Sequence, residues 1–163
     1  EQIDVLLTRG GMQSMFFTIG LVLLALSMGG MLFKLGIIQC LLAKIESLLR
    51  KVSSVIAASA MTAIGVNILI GEQYLSILLT GQAFQESYAK LGLAGKNLSR
   101  VMEDAGTVVN PLVPWSVCGI FITSVLGIST LEYLPFAFFC LLSPILTVLF
   151  GFTNKTLTYM DKI

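Results

Sequence analysis

Two stretches of the chain set oxygen-bearing residues beside backbone breakers, and together they point to cation chemistry. The first runs Thr62, Gly65, Asn67 and then Glu72. The second runs Glu103, Asp104, Gly106, Thr107, Asn110, Pro111, Pro114 and Ser116. Hydroxyls, amide carbonyls and carboxylates are hard oxygen ligands, the kind a small cation such as Na⁺ takes. Pro111 and Pro114 each remove a backbone donor and clash with the preceding turn. A helix broken there frees carbonyls at one half-helix end and N–H groups at the other, both usable by ions. A carboxylate among them adds a full charge and a proton site. Burial favours the neutral form of such a group and a bound cation favours the ionised form, so competition between H⁺ and Na⁺ for one carboxylate suffices to couple their exchange. Asp104 is the first candidate for that shared group, with Glu103 and Glu72 next.

Each of these residues also has a plainer role open to it. Glu103 and Asp104 suit the first turn of a helix in the headgroup zone, where the macrodipole favours acids. Glu72 suits the wet end of a span. Asn67 suits a turn, Ser59 and Thr62 suit helix packing, and Trp115 suits an interfacial belt. The proline pair is more specific, because two prolines three apart inside the uncharged run 105–131 are costly without a purpose.

The elements that must position these groups are membrane elements. Of 163 residues, 56% are hydrophobic and only 12% charged, about half the charge of an ordinary soluble domain. Mean hydropathy is +0.91. Charges are absent from 10–33, 52–71, 105–131 and 133–154, and about 20 apolar residues cross a hydrocarbon core. The net charge of +1 gives no basic field for nucleic acid. The chain has no His and no nucleophile elbow, phosphate loop or metal motif, so an enzyme is not expected. Cys40, Cys118 and Cys140 stand at unrelated spacings and predict neither a disulfide framework nor a zinc site. No cofactor is expected beyond Na⁺ and H⁺ as transported ions.

The expected fold class is an all-α polytopic membrane protein. A transmembrane helix is predicted at 12–34, with small residues Gly20, Ala25, Ser27, Gly29 and Gly30 for close packing. An interfacial helix is predicted at 36–51. There Ile38, Leu41, Leu42, Ile45, Leu48 and Leu49 form one face, and Lys44, Glu46, Arg50 and Lys51 the other. The segment 52–84 is too long for one straight span and too short for two. It is predicted as a re-entrant hairpin of two half-length helices with its tip near Gly65, Val66 and Asn67. A discontinuous transmembrane helix is predicted at 98–127, resuming at Trp115, and a last span at 133–152, with Pro135 in its first turn and a kink at Pro144. With the hairpin, nine of the ten basic residues fall on one side, against Arg9 opposite. A single crossing would divide them four to six. The positive-inside tendency therefore favours the hairpin and makes that side cytoplasmic.

Several of these residues stand in a familiar order. Glu103-Asp104-Ala105-Gly106-Thr107, then Asn110-Pro111-Leu112-Val113-Pro114-Trp115 and Cys118-Gly119, resembles the NhaC family of Na⁺/H⁺ antiporters. Arg9-Gly10-Gly11-Met12, Ile64-Gly65-Val66-Asn67, Gly71-Glu72-Gln73-Tyr74, Asn97-Leu98-Ser99-Arg100 and Tyr133-Leu134-Pro135-Phe136 extend the resemblance over nearly the whole chain. It implies an ion-transporter superfamily member with two inverted repeats, in the inner membrane of bacteria or archaea. This chain would be the C-terminal half or less, with the N-terminal half of the same polypeptide and membrane lipid as its partners. The family pattern has Ser at Ala105, often Asp at Glu72, and a small hydroxyl residue at Asn110. These departures bear on ion preference rather than on class. The expected activity is Na⁺/H⁺ antiport by alternating access. An exchanger of organic anions such as malate and lactate is the near alternative. A non-transporting subunit or remnant is the distant one, and transport by these residues alone would need a partner or a homodimer.

Overall fold

A computed structural model describes residues 51–160 and scattered positions between 16 and 40. The positions described from 16 to 34 are helical; the rest of the span expected at 12–34, and nearly all of the interfacial helix expected at 36–51, lie outside the described residues.

Helix α1 (Val52–Ile70) is an uncharged run that ends where Gly71 takes φ 74° and its N–H closes on the Asn67 carbonyl at 2.7 Å. Only glycine adopts that left-handed cap at no steric cost. Helix α2 (Gln73–Lys90) follows at once, its first turn capped by the Glu72 carboxylate, which accepts the Leu75 N–H at 3.0 Å. The hairpin thus turns at Gly71 and Glu72, not near Gly65 to Asn67, which lie inside α1. A glycine within a helix costs only about 1 kcal/mol relative to alanine, and Asn67 finds partners across the fold instead of bonding its own backbone. The arms hold 19 and 18 residues, about 28 and 27 Å, so they are not half-length and the second reaches Lys90 rather than 84. Small residues hold them close: Ser76 on α2 donates its hydroxyl proton to the Ala63 carbonyl at 2.7 Å, and Ser59 pairs with the Tyr88 hydroxyl at 2.9 Å.

Helix α3 (Gly95–Met102) runs into a π turn at Glu103–Thr107, where the Val108 N–H reaches back five residues to the Glu103 carbonyl at 3.0 Å. A 3₁₀ turn at Asn110–Leu112 follows. The helix then breaks and resumes as α4 (Val117–Leu126), bent 44° from the first part. It resumes at Val117 rather than Trp115, because Ser116 is the cap: its hydroxyl oxygen accepts the Gly119 N–H at 2.9 Å. The short α5 (Thr130–Tyr133) and a 3₁₀ turn at Leu134–Phe136 holding Pro135 lead to α6 (Phe138–Thr153), bent 60° from them. The bend falls at Ala137, and α6 runs unbroken through Pro144.

Helix α6 presses on α1 at Gly151, where an added Cβ would stand 2.7 Å from Ile56 Cγ2. Beyond α6 the chain straps back across the start of α3. The Ala94 N–H donates to the Thr158 carbonyl (2.9 Å), the Met160 N–H to the Gly92 carbonyl (2.8 Å), and Asn97 pairs with both backbone groups of Thr158. The hairpin mouth, the start of α3 and the strap therefore share one end of the molecule, and the hairpin tip meets the break in the discontinuous helix. Among the described residues one helix, Val52–Ile70, is long and apolar enough to cross a membrane, or three segments if each bent pair counts as one span.

Candidate functional site

The expected residues gather at two places. The first is a buried knot at the helix break. Asn67, Asn110 and Ser116 have no exposed surface. The Asn110 amide donates to Asn67 Oδ1 at 2.8 Å, and the Asn67 amide donates to the Gly106 carbonyl. Ser116 donates to the Asn110 carbonyl at 2.6 Å, while Asn110 Oδ1 also accepts the Cys118 N–H at 3.3 Å. The tip is stitched on by the Val117 N–H to the Gly71 carbonyl (3.0 Å) and by the Trp115 indole N–H to the Ile68 carbonyl (2.7 Å). Trp115 thus has a structural bond at the tip, besides an exposed ring. Gly119 is required here, because a Cβ would lie 2.2 Å from the Val113 carbonyl oxygen. Buried amides and hydroxyls must be paired, and here the pairing fixes the break against the hairpin.

The second place is Asp104, half-buried in the π turn. Its two carboxylate oxygens each accept a hydroxyl from α6: Ser143 Oγ donates to Oδ1 at 2.8 Å and Thr147 Oγ1 to Oδ2. The three line a cavity of about 340 Å³ together with Arg100, Phe139 and Phe150. Arg100 is tied to the strap through Thr156 Oγ1 at 2.9 Å. The extra residue per turn of a π segment shifts the side chains beyond it around the axis, a device frequent at functional sites.

The remaining candidates take no side-chain bond in either group. Glu103 is exposed and accepts the Thr107 hydroxyl at 3.1 Å, outside the cavity lining. Glu72 caps α2 at the tip. Pro111 offers its carbonyl to the Tyr133 hydroxyl, and Pro114 is exposed at the break. Thr62 and Gly65 lie within α1 and join neither group. The three carboxylates expected to be alternatives thus occupy three different settings. Among the described residues no three of His, Cys, Asp and Glu stand together as metal ligands. The arrangement offers one carboxylate with neutral oxygens, which suits a single positive charge.

Sequence reasoning missed Ser143, Thr147, Ser76, Tyr88 and Thr80. A signal was present for the first two, whose four-residue spacing puts them on one helix face. Thr80 is buried with no partner for its hydroxyl oxygen, and nothing in the local sequence marks it.

No solved structure matches the chain. It is 55% identical over 93% of its length to the Na⁺/H⁺ antiporter NhaC of Alkalihalophilus pseudofirmus, and 43% identical over 92% to NhaC of Bacillus subtilis. It is 33% identical over 98% to the malate-2H⁺/Na⁺-lactate antiporter of Bacillus subtilis. In each case it spans about a third of the relative's length. The model of the Na⁺/H⁺ antiporter family matches residues 1–155, and the chain, with its discontinuous helix and its half-buried carboxylate, belongs to that family.

Proposed function

We propose that the protein carrying this segment exchanges Na⁺ for H⁺ across the cell membrane by alternating access, with Asp104 as the shared ion and proton site. The observation that carries this reading is the placement of Asp104: one carboxylate, in a π turn of a broken helix, facing a cavity and held at both oxygens. A group so placed takes either a proton or a cation, and loading one displaces the other. Broken helices at membrane depth are where secondary carriers put such sites. The same reading has the chain cross the inner membrane several times with the hairpin mouth and strap on the cytoplasmic side, an orientation supported by the basic residues at that end: Lys51, Lys90, Lys96, Arg100 and Lys155.

The test is collapse of a pH gradient on adding Na⁺ to everted vesicles that contain the full-length protein. The wild type is expected to respond and Asp104→Asn to be inert while still inserted in the membrane. Equal responses from both would move the site to Glu72 or Glu103. A second reading has one observation in its favour: Arg100 and aromatic side chains on the Asp104 cavity would suit a small organic carboxylate. The higher identity to Na⁺/H⁺ antiporters than to the malate and lactate exchanger favours the cation. Labelled malate uptake, with no response to Na⁺ alone, would reverse that preference.

A further inference from the structure

Ser143 and Thr147 stand one turn apart on α6, a helix otherwise made almost wholly of apolar residues. Each reaches a different oxygen of the same carboxylate. A hydroxyl owns one hydrogen and two lone pairs. With both hydrogens given to Asp104, the lone pairs of both hydroxyls remain beside the cavity that the three residues line. A rigid helix holds the two oxygens at fixed spacing, and Thr147 is almost fully buried, at 4% exposure.

We infer that Ser143 and Thr147 are cation ligands: with Asp104 they complete an oxygen-only site of one negative charge for a small, partly dehydrated monovalent cation. Helix α6 is then part of the ion site rather than a lipid-facing support. The inference rests on the cation-exchange reading above and deepens it. The charges balance, since the carboxylate is neutralised equally by one cation or one proton and the hydroxyls stay neutral. Arg100, the other charged residue lining the cavity, is bonded to Thr156 in the strap. Two neutral oxygens add affinity that a lone carboxylate lacks, and their fixed positions set which cation fits.

The test is thermal unfolding of the purified full-length protein, titrated with NaCl against choline chloride at constant ionic strength. A ligand that binds the folded state raises the midpoint by mass action. The wild type is expected to be stabilised by Na⁺. The double variant Ser143→Ala, Thr147→Val is expected to need at least about tenfold more Na⁺ for the same rise, the scale on which lost support groups weaken a metal site. Thr147→Ser keeps the hydroxyl and should stay close to wild type. The unfolding midpoint without Na⁺ reports whether each variant folds. A double variant with the wild-type Na⁺ dependence, or a Thr147→Ser as impaired as the double variant, would overturn the ligand assignment alone, provided the wild type responds. A wild type with neither Na⁺ stabilisation nor Na⁺-driven proton movement would bring down the cation-exchange reading itself.

Discussion

At the scale of single residues, the two asparagines matter through each other. Asn110 donates one amide N–H to Asn67 Oδ1, Asn67 donates one of its own to the Gly106 carbonyl, and both side chains are shut away from water. Truncating either one leaves a buried donor or acceptor unpaired, at a cost of about 1–3 kcal/mol. Asn67→Ala and Asn110→Ala should each lower the unfolding midpoint in detergent. The double variant should cost clearly less than the sum of the two, because the shared bond is lost only once. Strict additivity in a double-mutant cycle would mean that the two side chains do not bond. Glu72, read in sequence as a possible ion ligand, also serves as an N-cap, bonded to the Leu75 N–H. Asp104 and Glu103 are neighbours, yet only Asp104 reaches the hydroxyls of α6.

At the scale of elements, the broken helix depends on close backbone approach. Gly119 opens α4 with the Val113 carbonyl oxygen only 2.2 Å from where a Cβ would be. That oxygen belongs to backbone and has no flexible end to swing aside. Gly119→Ala should therefore displace α4 from the break and lower stability by several kcal/mol, at the upper end of single-residue effects. Gly65→Ala, on α1 with nothing within 4 Å of its Cβ position, should be neutral or slightly stabilising. Unfolding midpoints of the pair check both expectations, and a neutral Gly119→Ala would show that the break has a different geometry. The contrast also explains why the hairpin tip was misplaced from sequence. Gly65 and Asn67 have the right chemistry for a turn, but Gly71 is the residue that adopts the positive φ.

At the scale of the whole molecule, the strap decides which ends lie together. Residues 92–97 pair with 158–160 through backbone and through Asn97, and Gly151 brings the end of α6 against the start of α1. Lys90 and Lys155 should consequently face the same compartment. Single-cysteine variants Lys90→Cys and Lys155→Cys, made in a background without native cysteines, should both react with a membrane-impermeant thiol reagent from the same side. Labelling from opposite sides would rule out this packing.

The sequence by itself determined the membrane class, the family and the discontinuous helix around Pro111 and Pro114. These are local properties: charge-free runs meet the cost of burying charge, and a proline lacks its N–H wherever it stands. The position of the hairpin turn and the partners of Asp104 were decided by tertiary structure. Ser143 and Thr147 lie 39 and 43 residues from Asp104, on a helix whose pattern reads simply as apolar. No period or propensity encodes which two faces meet across such a separation; that follows from packing small residues, satisfying buried amides and closing the strap all at once.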